Sequence, residues 1–263
     1  MRNIRLEVEY DGTDFYGWEI QPNKRTVRGE IEHRLCEILQ ERVKLIGAAR
    51  TDAGVHAICQ VANFVTKSNL PISTIRRALL GGSPSICVRN VELVPLEFNS
   101  RGDATSRIYL YRVLLGRSPL LRTKVWEYPI LGKRTWLGTP ILDIEKMECA
   151  LNIFLGRHRF DLFAHRDTGE CEVKRFTMAT MKSEFPISLG DAMSNLIELR
   201  FEIEATRFLH KMVRMIIGIL TELGRDRIDE ESIKLALELK GTIGHSALCA
   251  PAHGLYLKTV KYV

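Results

Sequence analysis

Three features of the sequence predict an α+β chain of two similar halves. Residues 3–10 alternate apolar and polar side chains, amphipathic helical stretches are interleaved with short apolar strands up to residue 115, and the alternation partly repeats afterwards. The first half reads strand, helix, strand, strand, helix, strand. That order fits a ferredoxin-like, RRM-like unit whose antiparallel sheet carries helices on one face.

The opening strand sets Ile4, Leu6, Val8 and Tyr10 against Asn3, Arg5, Glu7 and Glu9, and Asp11-Gly12-Thr13 breaks it. The next segment, Phe15 to Pro22, mixes three aromatics with turn residues and is either a hydrophobic clamp or part of a binding surface. From Thr26 to Leu39, Val27, Ile31, Leu35, Ile38 and Leu39 fall at helical spacing. Strands are expected over Val43–Ile46 and His56–Val65, and a helix after Pro71 with Ile72, Ile75, Leu79 and Leu80 as its buried stripe. Gly81-Gly82-Ser83-Pro84 stops that helix; no lysine follows to make the glycine pair a phosphate cradle. Strands near Ile86–Leu93 and Ile108–Leu115 complete the unit, and a loop-rich stretch over 116–140 holds Trp126 and Trp136.

The second half opens with a helix over Ile144–Leu155 and continues with strands over Arg175–Glu184 and Leu196–Ala205. Its most strongly periodic stretch is Phe208–Leu223, read as a helix that Gly224 closes. A helix over Glu230–Leu239 and a strand over Leu255–Tyr262 end the chain. The domain reading is therefore 1–104 and 105–263.

Composition narrows the class. With 45% apolar residues the chain can build a sizeable core, and no run reaches the roughly 20 apolar residues of a membrane helix. The charged start lacks a signal-peptide pattern, so a cytoplasmic protein with no membrane partner is expected. Six scattered cysteines form no C-x-x-C pair and no His/Cys cluster, which indicates neither zinc nor a disulfide framework. A net charge of +6 favours an anionic partner. Its arginines, Arg50, Arg101, Arg107, Arg112, Arg207 and Arg214, stand beside aromatic and turn residues, as in a groove and not a disordered tail.

Three constellations are candidates for chemistry. Arg50-Thr51-Asp52 is a charged turn between apolar runs, either a site or a solvated ion pair. In Arg107-Ile108-Tyr109-Leu110-Tyr111-Arg112, strand alternation puts both tyrosines on one face, where they either stack on a displaced base or pack in a sheet core. Arg214 interrupts an apolar helix, either snorkelling to the surface or entering a site to meet an acid. His56, His158 and His253 form no metal spacing and read as structural or surface histidines.

Six motifs in order, Y-D-G-T-D-F-Y-G-W at 10–18, A-R-T-D-A-G-V-H-A at 49–57, R-I-Y-L-Y at 107–111, G-R-H-R-F-D-L-F at 156–163, R-F-L-H-K-M-V-R-M-I-I-G at 207–218 and A-P-A-H-G-L-Y-L at 250–257, resemble the TruA family of tRNA pseudouridine synthases. The resemblance implies two α+β halves around a central antiparallel sheet with an active-site cleft between them. It further implies a homodimer that isomerises uridine to pseudouridine at positions 38, 39 and 40 of the tRNA anticodon stem-loop, without cofactor or metal. Asp52 matches the family's catalytic aspartate, a nucleophile or a base. Arg214 matches the arginine that keeps it ionised, Tyr109 the tyrosine stacked on the target base, Leu255 an apolar wall of the pocket, and Arg50 the arginine that holds the uridine flipped out. The chain departs from the family pattern at Ala49, Gly102, Asp103 and Leu162, which bears on substrate contacts more than on catalysis. Two alternatives stand beside this reading: a non-catalytic RNA-binding or RNA-folding protein on the same scaffold, and a synthase with other RNA targets.

Overall fold

The computed structural model describes residues 1–128, 142–189, 192–241 and 249–263. In chain order the elements are β1 (Arg2–Tyr10), α1 (Val27–Leu39), β2 (Ile46–Gly47), β3 (His56–Thr66), α2 (Ile72–Leu80), β4 (Ile86–Val94), β5 (Ser106–Leu115), β6 (Trp126–Tyr128), α3 (Ile144–Ala150), β7 (Gly156–Arg159), β8 (Glu170–Leu189), β9 (Ala192–Ala205), α4 (Met212–Gly224), α5 (Glu230–Leu237) and β10 (Leu255–Lys261). They form two compact units, Met1–Ile108 with Tyr256–Val263, and Tyr109–Leu255.

In the first unit the strands lie in the order β4, β1, β3, with antiparallel pairing throughout. The other edge of β3 is shared: β2 pairs antiparallel with Asn63 and Ala62, while β10 runs parallel beside His56 and Ala57. This is the ferredoxin-like order expected from the sequence, with a C-terminal strand added. Alternation does the positioning: Ile4, Leu6, Val8 and Tyr10 are all buried at 3% exposure or less. Helix α1 starts where Thr26 accepts a hydrogen bond from the Gly29 N–H and buries Val27, Ile31, Leu35 and Leu39. Helix α2 buries Ile75 and Leu79, but Leu80, expected in its stripe, is exposed.

The strand expected over Val43–Ile46 shrinks to Ile46–Gly47. The Leu45 N–H explains this, because it donates to Glu32 of α1 at 2.7 Å and not to a neighbouring strand. In the segment Phe15–Pro22, Phe15 and Trp18 are almost fully buried, as a clamp requires, while Tyr16 and Ile20 are exposed.

The second unit places its strands in the order β5, β9, β8, β7, with β6 parallel beside β5. Along the chain β5, α3, β8, β9 and α4 repeat the alternation of the first unit, so the α+β class holds in both. Helix α4 has Ile216, Ile217, Ile219, Leu220 and Leu223 fully buried and is the core of the unit. It begins at Met212 and not at Phe208. The four residues before it are drawn off as a loop: Lys211 sits at φ 60, the His210 N–H donates to Asp167 at 3.1 Å, and its carbonyl accepts from His165 at 3.0 Å. Gly224 ends α4 for a packing reason. A Cβ there would lie 2.7 Å from Met147 Sδ of α3, so any larger residue would have to displace the Met147 side chain. The expected helix over Ile144–Leu155 is α3 followed by a 3-10 turn, Leu151–Phe154, and α5 stops at Leu237. Trp136 lies outside the described residues.

Candidate active site

In the first unit, Arg50, Thr51 and Asp52 occupy the loop between β2 and β3, and neighbouring backbone holds that loop from several sides. Thr51 is buried, its hydroxyl 2.7 Å from the Tyr10 hydroxyl at the end of β1. Its carbonyl accepts from the Trp18 N–H at 3.0 Å. Gly17, at φ +91, lies so close that a Cβ would come within 2.6 Å of the same carbonyl. Just ahead, Gln60 clasps the backbone of Ala49 with both ends of its amide: its NH2 donates to the Ala49 carbonyl at 2.7 Å, and its oxygen accepts from the Ala49 N–H at 3.2 Å. The Arg107 guanidinium, placed by the sequence among groove arginines, braces carbonyls here, reaching Ala48 at 3.1 Å, Ala104 at 3.2 Å and Arg101 at 2.8 Å. After Asp52 the chain turns tightly, with the Val55 N–H returning to the Asp52 carbonyl at 3.2 Å and the Gly54 N–H to Phe15 at 3.2 Å.

Asp52 itself is half-buried. A carboxylate on a loop whose own carbonyls and amides are already bonded has a restricted orientation, and partial burial leaves it reachable by a substrate atom. Arg50 is different. Its side chain is 60% exposed and its Nε stands 3.1 Å from Glu19, which also pairs with Arg28. Within this unit the structure joins Asp52 to a rigid support and leaves Arg50 at the surface.

In the second unit Tyr109 and Tyr111 follow one another on the same side of β5. Tyr109 is 8% exposed and meets Phe208 edge-on at 4.9 Å between centroids. Tyr111 is wholly enclosed, donates to the Pro251 carbonyl at 2.8 Å, and has its phenol pushed well above the ordinary value by burial, against the pull of Arg214. Both tyrosines are therefore buried, Tyr111 completely and Tyr109 with only a small exposed fraction. Gly254 lies against Tyr111, where a Cβ would be 2.8 Å from the ring.

Arg214, in the first turn of α4, donates through Nε to the Ala250 carbonyl at 2.7 Å, and its own carbonyl accepts from the Ala250 N–H at 3.1 Å. The guanidinium is half-buried and does not snorkel freely; it anchors the segment that leads to Leu255, itself buried at 6% exposure. His253, in that segment, has its imidazole value lowered by burial. In this unit, then, Arg214 and the Leu255 segment are tied together.

Sequence reading missed Gln60 and took His56 for a structural or surface histidine. Gln60 lies in β3, where a strand pattern gives no sign that one buried polar residue serves the preceding loop. Six cysteines are free thiols, and among the described residues no group of three or more His, Cys, Asp or Glu is arranged to hold a metal ion. No helix among them is long and apolar enough to cross a membrane.

A family model described as tRNA pseudouridine synthase matches residues 7–101 and 150–263, segments that contain Arg50, Asp52, Arg214 and Leu255 but not Tyr109. Proteins named tRNA pseudouridine synthase A align from end to end: one from Citrifermentans bemidjiense is 37% identical over 100% of this chain and 98% of its own length. Those from Geobacter sp. strain M21 and Acetivibrio thermocellus are 36% and 35% identical, each over 100% of this chain and over 99% and 100% of their own. Matches of this extent, covering the loop of Asp52 and the helix of Arg214 alike, make the chain a member of the tRNA pseudouridine synthase family, isomerases that act on uridine in tRNA.

Proposed function

We propose that this enzyme forms pseudouridine in the anticodon stem-loop of tRNA, at positions 38, 39 and 40, with Asp52 as the catalytic nucleophile. The observation that carries the assignment is the setting of Asp52: a half-buried carboxylate on a loop held by Tyr10, Trp18 and Gln60, in a chain of this family. The reaction is an isomerisation. The bond from base nitrogen to sugar breaks, the base turns, and a carbon-carbon bond to the sugar forms; one proton leaves the ring carbon and one is taken up at nitrogen. An ionised carboxylate serves it either by attack or by abstracting a neighbouring sugar proton.

Tyr109 stacks on the target base, Leu255 lines its pocket, Arg214 supports the charge of the reacting carboxylate, and Arg50 holds the flipped nucleotide. Extracting a base from a stem costs a few kcal/mol, so a cation near the vacated stack has a clear use. The enzyme works as a homodimer in the cytoplasm, and its net charge of +6 suits a polyanionic substrate.

The test is Asp52→Asn on unmodified tRNA. Pseudouridine formation is expected to vanish while tRNA affinity stays within a few-fold; wild-type turnover in the variant would remove Asp52 from the mechanism. Mapping the modified positions in a tRNA pool checks the choice of uridines, and light scattering checks the dimer.

A further inference from the structure

The turn after β1 and the turn after Asp52 meet at one histidine. His56, the first residue of β3, is 2% exposed and stacks on Tyr256 with centroids 4.7 Å apart and planes at 26°. Its Nδ1 stands 3.0 Å from the backbone nitrogen of Gly12 and 3.1 Å from Asp11 Oδ1. Gly12 can approach only because it has no side chain: a Cβ there would lie 2.0 Å from the Val55 carbonyl oxygen. Val55 closes the turn that bears Asp52, through its N–H to the Asp52 carbonyl at 3.2 Å. The Asp11 carboxylate is already occupied by Thr13, whose N–H and hydroxyl donate to it at 3.1 and 2.6 Å.

A backbone N–H can only donate, so a hydrogen bond from Gly12 takes a lone pair on Nδ1 and leaves the ring proton on Nε2; a proton on Nδ1 would instead go to Asp11 Oδ1 at 3.1 Å, which already accepts twice from Thr13. We propose that His56 is a positioning residue for Asp52: its neutral ring, as acceptor for the Gly12 N–H, locks the 11–13 turn against the 52–55 turn and so sets where the carboxylate stands. This rests on Asp52 being the reacting group. The ring does not touch the substrate; it acts through Gly12 and Val55, and stacking on Tyr256 keeps it from rotating.

The experiment compares kcat and KM for unmodified tRNA in wild type, His56→Phe, His56→Asn and Asp52→Asn. Phenylalanine keeps the stacked ring without the acceptor; asparagine carries an amide oxygen close to the place of Nδ1. Displacement of a reacting group by an ångström costs up to about 100-fold, so kcat of His56→Phe should fall about 10- to 100-fold with KM for tRNA unchanged. His56→Asn should recover kcat to within a few-fold of wild type. Undiminished kcat in His56→Phe, or equal losses in both variants, would overturn the proposal. If His56→Phe does not fold, a nitrogen-15 spectrum of histidine-labelled wild type decides: an unprotonated Nδ1 at His56 supports the lock and a protonated one refutes it. An active Asp52→Asn removes the assignment of Asp52 itself, whereas an inactive Asp52→Asn beside a fully active His56→Phe removes only the role of His56.

Discussion

Glu198 offers the sharpest test of how the second unit holds β5, the strand of Tyr109, in place. This residue of β9 is only 3% exposed, yet it takes two hydrogen bonds from the Arg112 guanidinium of β5, at 2.7 and 2.9 Å, and one from Arg200 at 2.7 Å. Substituting alanine leaves two guanidinium groups facing the space of one lost carboxylate. Breaking a buried pair from one side costs about 3–5 kcal/mol. The arginine side chains are 20% and 31% exposed, so water recovers part of the loss, and the low end, about 3 kcal/mol, applies. At about 2–4 °C per kcal/mol for a protein of this size, Glu198→Ala should lower Tm by roughly 6–12 °C. Protonation gives the same test without a mutation. Burial opposes charge on Glu198, but the hydrogen bonds from Arg112 and Arg200 outweigh it and hold the carboxyl below its ordinary 4.5. The contribution is therefore complete above pH 4.5 and is lost as pH falls through the lower folded value. Urea unfolding of Glu198→Ala and wild type across that range is the assay. A loss under about 1 kcal/mol at neutral pH would refute the argument and mark the triad as replaceable by solvent.

Two further outcomes follow from the first unit. Gln60→Leu preserves bulk but strands the buried N–H and carbonyl of Ala49, and should cost about 2–4 kcal/mol in urea unfolding and lower kcat with it. Glu19→Gln removes the acid beside Arg50, whose side chain is 60% exposed. Exposed pairs contribute at most about 1 kcal/mol, so tRNA affinity should tighten no more than roughly fivefold at low salt, and the gain should vanish at high salt; a filter-binding salt series measures it.

Much of the architecture was legible because alternation and helical spacing record burial directly, as in β1 and α1. Two of the misreadings share a cause: local pattern was overruled by a polar contact from another part of the chain. Leu45 was drawn from a strand by Glu32, and Phe208–Lys211 from a helix by Asp167 and His165, with no trace in the apolar spacing. Leu80 shows the opposite limit, an apolar residue at the right spacing that faces solvent because α2 ends beside it. Of the site, the charged turn at Asp52 was visible as an anomaly between apolar runs. Its supports were not. Gln60 and His56 are ordinary letters in a strand pattern, and their value arises only when the backbone they bind is folded beside them.

The contrast between Asp52 and its neighbour Arg50 has a physical logic. A group that forms or breaks bonds must be placed within a fraction of an ångström, and around Asp52 the chain is constrained at Ala49, Thr51, Gly54 and Val55, with Gly12 and Gly17 admitted at distances no side chain would allow. A group that holds a flexible polynucleotide gains from the opposite arrangement. Arg50 lies on the same loop but is largely exposed, paired with an acid it can leave at little cost, which suits the nucleotide-holding role proposed for it. One three-residue turn thus carries a half-buried carboxylate and an exposed, acid-paired cation on either side of the buried Thr51, whose hydroxyl stands 2.7 Å from that of Tyr10.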